Sequence, residues 1–258
     1  MPDSENPILL NTSDLAVAIE DRLLCRSLSV NMSAGETWSI LGPNGSGKTT
    51  LLETLAGLRP PQSGDVVVDG DSISTLSPRQ LALRRSMLFQ KTEDAFPATV
   101  METVLSGRHP HIPNWQTETR RDHEIARQAI LKVDLAGFER RDINSLSGGE
   151  RQRVSIAACL AQDTTLRLFD EPSNHLDLKH QNSILQLISD RHQRLNLLVL
   201  QDINQAWRYT SHVLMLYSDG STEHGTAGKM LTIERLESLY ACKLKMLQDD
   251  QDRVFVHA

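Results

Sequence analysis

The stretch Gly42-Pro43-Asn44-Gly45-Ser46-Gly47-Lys48-Thr49 constrains this chain more than any other, because it fits G-x-x-x-x-G-K-[ST]. An apolar strand, Thr37-Trp38-Ser39-Ile40-Leu41, leads into it. Leucines at helical spacing (Leu51, Leu52, Leu55, Leu58) follow, which predicts a helix over residues 49–58 that stops before Arg59-Pro60-Pro61. Glycines let backbone N–H groups close around phosphate oxygens, and the following helix turns its positive end to the anion. Lys48 is expected to reach β- and γ-phosphates, and the Thr49 hydroxyl to bind Mg²⁺. The alternative, a chance glycine-rich turn between a strand and a helix, is set aside because the right strand precedes the loop and the right helix follows it.

The rest of the chain fits around that loop. Residues 15–30 read as two short strands joined near Glu20-Asp21-Arg22, and Val66-Val67-Val68 as another. Between Gln90 and Ser145 the texture becomes turn-rich and then helical over residues 119–133, which predicts a helical insertion. Strand and helix alternate again after Ser147, with apolar strands at 166–169 and 197–200, a pattern that favours an α/β parallel sheet. The tail after Asp249 is expected to fray. With 258 residues there is room for one large domain or two small ones. A net charge of −6 argues against a general nucleic-acid binder, so no nucleic-acid partner is expected. No apolar run approaches the ~18–20 residues that cross a bilayer, and the acidic start Met1-Pro2-Asp3-Ser4-Glu5-Asn6 lacks the features of a signal peptide. Cys25, Cys159 and Cys242 lie far apart, with no C-x-x-C pair, which fits a reducing compartment. The expectation is a cytoplasmic protein whose contact with any membrane comes through a partner.

Leu166-Arg167-Leu168-Phe169-Asp170-Glu171 is a mostly apolar strand ending in two carboxylates. Beside a phosphate loop, Asp170 is expected to hold Mg²⁺ and Glu171 to polarise a water for attack on the γ-phosphate. Ser147-Gly148-Gly149-Glu150 has the spacing of a capping box that starts a helix, with glycines that expose N–H groups to an anion. The whole run, Leu146-Ser147-Gly148-Gly149-Glu150-Arg151-Gln152-Arg153, resembles the signature motif of ATP-binding cassette (ABC) proteins. That resemblance implies a P-loop ABC ATPase fold: a mixed sheet with helices, an N-terminal antiparallel β subdomain and an inserted α-helical subdomain. It spans 1–258 as a single nucleotide-binding domain, with 1–90 and 147–258 as catalytic core and 91–146 as the helical part that contacts a permease.

By the same resemblance, residues 42–49, Thr50, Gln90, Ser147, Gly148, Gly149 and Asp177 are expected to bind ATP, the signature acting on nucleotide held by another subunit. Gln90 would contact Mg²⁺ and link the site to the insertion. Ser173-Asn174-His175-Leu176-Asp177 looks like the loop that crosses between subunits; an interface packing role suits His175 better than a metal or acid–base one. His109, His111 and His123 have no ligand spacing. Two positions depart from the family. Gln201-Asp202 stands where relatives have a histidine and an aspartate, and glutamine cannot carry the proton or charge of a switch histidine. Ile19 stands where many relatives stack an aromatic ring on adenine, so base selectivity is expected to be loose.

Ser106-Gly107-Arg108-His109-Pro110-His111, residues 174–181 and Leu236-Glu237-Ser238-Leu239-Tyr240 resemble importers of siderophores, haem and cobalamin. The resemblance implies a subunit that powers such import, paired with integral membrane permease subunits, a second ABC subunit (a homodimer) and, indirectly, a substrate-binding protein. A soluble ABC ATPase without a transport role, and a regulatory subunit with weakened hydrolysis, remain as alternatives.

Overall fold

The computed structural model describes residues 6–90, 97–113, 115–190, 193–248 and 253–258. The reading of the start of the chain as no signal peptide falls mostly on residues 1–5, outside that set. Two compact units emerge: Met1–Leu76 with Arg191–Ala258, and Ser77–Asp190.

The first unit opens with two long antiparallel strands, β1 (Ile8–Ile19) and β2 (Arg22–Ser33). Both are longer than the 15–30 reading allowed. Register shifts on either side of Leu15 place Leu15, Ala16 and Val17 all in the core, which breaks the in–out alternation that marks a strand in sequence. β3 (Thr37–Leu41) follows, buried at all five positions. Helix α1 (Lys48–Leu55) begins one residue after the last glycine of the loop and ends three short of the predicted Leu58. Gly57 takes a positive φ of 69° and Leu58 is left outside, so the leucine pattern overstates the helix by a turn. β4 (Ser63–Val68) pairs antiparallel with β1, and the two-residue β5 (Asp71–Ser72) with β4.

The second unit contains α2 (Pro78–Arg84), β6 (Arg85–Leu88), α3 (Val100–Ser106), α4 (Arg120–Lys132), α5 (Gly148–Ala161), β7 (Leu166–Asp170) and α6 (Leu178–Ile188). β6 and β7 are parallel neighbours, Leu88 opposite Phe169. α3, α4 and α5 pack on one another, and Val100, Val104, Ala126, Ile130, Val154 and Ala157 on them are all buried. Serine or threonine caps α2, α3, α4 and α5, each as one half of a reciprocal capping box. Residues 91–96 of the predicted insertion lie outside the described set.

Returning to the first unit, the chain adds β8 (Leu195–Val199), α7 (Ile203–Tyr209), β9 (His212–Leu216), β10 (Thr222–Thr226), α8 (Ala227–Met230), α9 (Ile233–Tyr240), β11 (Leu244–Gln248) and β12 (Arg253–His257). β3 lies between β8 and β9 in parallel, and β10 closes that edge antiparallel to β9. The described part of the tail does not fray. β12 pairs with β11, Asn204 of α7 exchanges two hydrogen bonds with the Phe255 backbone (2.8 and 3.1 Å), and Arg253 lies over the Trp207 ring. No helix among the described residues is long and apolar enough to cross a membrane.

Candidate functional site

In the first unit, the loop of residues 42–49 leaves the C-terminal end of β3, the end at which parallel sheets present ligand sites. Ser46 donates its N–H to the Pro43 carbonyl (3.2 Å), folding the loop on itself. Gly47 caps α1 with φ 102°, and a Cβ there would lie 2.9 Å from the Leu24 side chain, so only glycine fits between strand β2 and the helix. Lys48 is 7% exposed, and its Nζ donates to the carbonyls of Gly42 (2.8 Å) and Pro43 (3.0 Å). The first turn of α1 carries no acidic residue to oppose an anion. Thr49 is half-buried, and Thr50 is buried with its carbonyl bonded by Thr54 Oγ1. Gln201 sits two residues past Val199, as Gly42 sits two past Ile40, and Ile40 pairs with Val199; loop and switch position therefore share one end of the ladder. Gln201 is exposed, and Asp202 beside it accepts from Asn204 N–H (2.7 Å), starting α7. Ile19, at the end of β1, is 42% exposed.

In the second unit, the parallel pairing of β6 and β7 brings Gln90 and the carboxylate pair to a common end. Gln90 Nε2 donates to Glu171 Oε2 at 3.1 Å. Asp170 is completely buried and Glu171 is 7% exposed. The backbone of Glu171 takes φ 50°, in the left-handed region that few non-glycine residues enter. Asn174 Nδ2 donates to the same Glu171 oxygen. Sequence reasoning placed Asn174 only within its loop; nothing in the order of residues shows that its amide turns back three positions.

Ser147 is the N-cap of α5. Its hydroxyl accepts from Glu150 N–H, and its own N–H reaches Glu150 Oε2 at 2.8 Å. The Ser147 N–H and hydroxyl together hold the Glu150 carboxyl below its ordinary range. A Cβ on Gly149 would lie 2.8 Å from the His175 carbonyl, so the start of α5 and the loop carrying His175 approach too closely for any other residue. Asp177 caps α6, accepting from His180 N–H (2.9 Å) and from the His180 ring, and those bonds lower its carboxyl in the same way. Ser147, Gly148, Gly149, Arg153, His175 and Asp177 line a cavity of about 550 Å³. The other histidines named from sequence are scattered: His111 Nε2 meets the Gln162 carbonyl at 2.7 Å, while His109 and His123 are exposed. Among the described residues, no group of three or more His, Cys, Asp or Glu side chains is arranged to hold a metal ion.

The sequence profile of the ABC transporter family matches residues 25–174. The petrobactin import ATP-binding protein FpuC of Bacillus anthracis is 34% identical over 251 residues, covering 96% of this chain and 92% of its own. The ferric enterobactin transport ATP-binding protein FepC of Escherichia coli K12 is 33% identical (95% and 92% covered). The hemin import ATP-binding protein HmuV of Burkholderia ambifaria is 34% identical (93% and 96%). Among solved structures, a chain of an ABC transporter described as of metal-chelate type, in an inward-facing conformation, superposes with a TM-score of 0.84 at 26% identity, covering 98% of both chains. The ATP-binding cassette MJ0796, a dimer in a post-hydrolysis state with ADP and phosphate, superposes at 0.74 with 25% identity, covering 85% of this chain and 99% of that one. Glycine loop, capped signature helix and buried carboxylate pair, in this order and on this fold, thus make the chain a member of the ABC transporter family and one of its ATP-binding ATPases.

Proposed function

We propose that this chain is the ATP-hydrolysing subunit that powers import of a metal chelate of the siderophore, haem or cobalamin type through separate membrane permease subunits. Support for hydrolysis comes from one observation above the rest: a buried Asp170–Glu171 pair at the end of β7, with Gln90 bonded to Glu171. Support for import comes from relatives, which at 33–34% identity over more than nine-tenths of this chain are import or transport ATP-binding proteins for petrobactin, enterobactin and haem.

In this reading, residues 42–50 grip the phosphates, with the Lys48 ammonium exchanging its two carbonyl acceptors for β- and γ-phosphate oxygens. The donors suit Mg²⁺: the Thr49 hydroxyl, the Asp170 carboxylate and the Gln90 amide oxygen are all hard oxygen ligands. When bound, that ion neutralises phosphate charge as it develops. Glu171 takes the proton from water as it attacks the γ-phosphorus and the bond to ADP breaks. Ser147, Gly148, Gly149 and Asp177 act on the nucleotide of a second, identical subunit across the cavity that they line. Leu88, Phe89, Thr103, Gly107, Ala158 and Gln162 line a second groove of about 230 Å³, which we assign to the permease. As a whole the chain works as one nucleotide-binding domain, its helical part within 91–146, on the cytoplasmic face of the membrane. Substrate-binding protein and solute never touch it.

A second reading is favoured by Gln201: with no imidazole at the end of β8, turnover is attenuated and the chain serves as a slow or regulatory ATPase. The test of the main reading is the ATPase rate of purified protein. Glu171→Gln should lower kcat by roughly a hundredfold or more while ATP still binds, and Lys48→Ala should abolish binding. Normal multiple turnover by Glu171→Gln would sink the assignment of the base. Recovery of a stoichiometric polytopic partner from detergent extracts separates transport from a soluble role.

A further inference from the structure

We infer that Asn174 is a positioning residue for the Glu171 carboxylate, an inference that rests on Glu171 being the base. Three observations carry it. Asn174 Nδ2 and Gln90 Nε2 converge on the same oxygen, Glu171 Oε2. Two N–H donors on one oxygen suit a carboxylate, which only accepts, and a turned amide would set oxygen against oxygen. The turn itself is closed by Asn174 N–H to the Glu171 carbonyl at 3.1 Å, which fixes the distance over which the side chain must reach back. Finally, Glu171 is nearly buried on a left-handed backbone, so its carboxylate is aimed by these partners and not by solvent.

Asn174 also belongs to the loop that touches the signature helix. Gln152 of α5 donates to the Pro172 carbonyl (3.4 Å), and Gly149 lies against the His175 carbonyl. A shift of that loop therefore moves a donor on the base. Gln90 contributes another donor, from just past β6. The aim of Glu171 thus draws on donors from two separate segments.

The experiment measures kcat, KM for MgATP, ATP binding and thermal midpoint for the full chain carrying Asn174→Ala, Asn174→Asp, Asn174→Ser or Glu171→Gln. A hydrogen bond to a charged group is worth about tenfold in rate, so Asn174→Ala should lower kcat by about that factor with KM and midpoint unchanged. Asn174→Asp keeps the shape but sets carboxylate against carboxylate, and should lower kcat by roughly a hundredfold. Asn174→Ser, whose hydroxyl can donate, should recover part of the loss seen with alanine. A purely structural asparagine gives the opposite order: aspartate behaves like wild type and alanine lowers the midpoint. That order, or wild-type kcat in all three variants while Glu171→Gln is inactive, overturns the positioning role alone. Wild-type turnover in Glu171→Gln instead removes the base, and with it the role of Asn174.

Discussion

Position 201 is where a single substitution is expected to raise the rate. Gln201 follows β8 at the end of the ladder that also launches the phosphate loop, and its amide can donate a hydrogen bond but cannot carry a proton. Gln201→His should therefore raise kcat roughly tenfold or more, with ATP affinity little changed, measured as steady-state phosphate release. An unchanged kcat would show that the amide suffices. Much of the site is legible at this scale because its parts are local: the glycines, Lys48 and Thr49 are contiguous, Ser147 and Glu150 are one helical turn apart, and Asp170 and Glu171 are neighbours. What stays hidden is the inward turn of Asn174 and the latch of Lys48 on its own loop. The first depends on the φ of 50° at Glu171, which its residue type does not announce; the second depends on a loop path that the glycines permit but do not specify.

Helix α4 shows how a short polar pattern fixes an element. Thr119 and Asp122 cap each other, and Asp122 also accepts from the buried Arg108 Nε at 3.0 Å, whose Nη1 holds the Ala161 carbonyl. Thr119→Ala should cost about 1 kcal/mol of stability in urea unfolding. The Thr119 hydroxyl, then its N–H, hold the Asp122 carboxyl down to about 2, against 3.8 unperturbed. A depressed carboxyl stabilises the fold fully above pH 4 and ceases to do so as pH falls through 2. The deficit of Asp122→Asn relative to wild type should accordingly be constant above pH 4 and shrink towards pH 2. Sequence reading found α4 within a residue at each end because the cap and the apolar face agree. It missed the β11–β12 hairpin because four of the five β11 residues face solvent and only Leu244 is buried, so no alternation marks the strand.

For the whole molecule, the first unit draws on both ends of the chain, Met1–Leu76 and Arg191–Ala258, and its centre is the ladder of β3, β8 and β9. Order of residues discloses that such strands exist, since β3 and β8 are uniformly apolar or buried, but the neighbours of β3 are separated from it by more than 150 residues and are chosen by packing alone. A ligand on the loop that leaves β3 must stabilise the folded state by mass action. At a hundred times its dissociation constant, MgATP should add about 2.7 kcal/mol, read as a raised thermal midpoint that Lys48→Ala removes. Ionic strength should matter little to that gain. The Lys48 side chain is nearly buried and its ammonium rests on two carbonyls, so the attraction that draws phosphate in is screened far less than it would be at an open surface. Between 0.05 and 0.5 M salt, the affinity for MgATP should hold within about a factor of three, whereas a grip made by lysines on an open surface would fall away steeply.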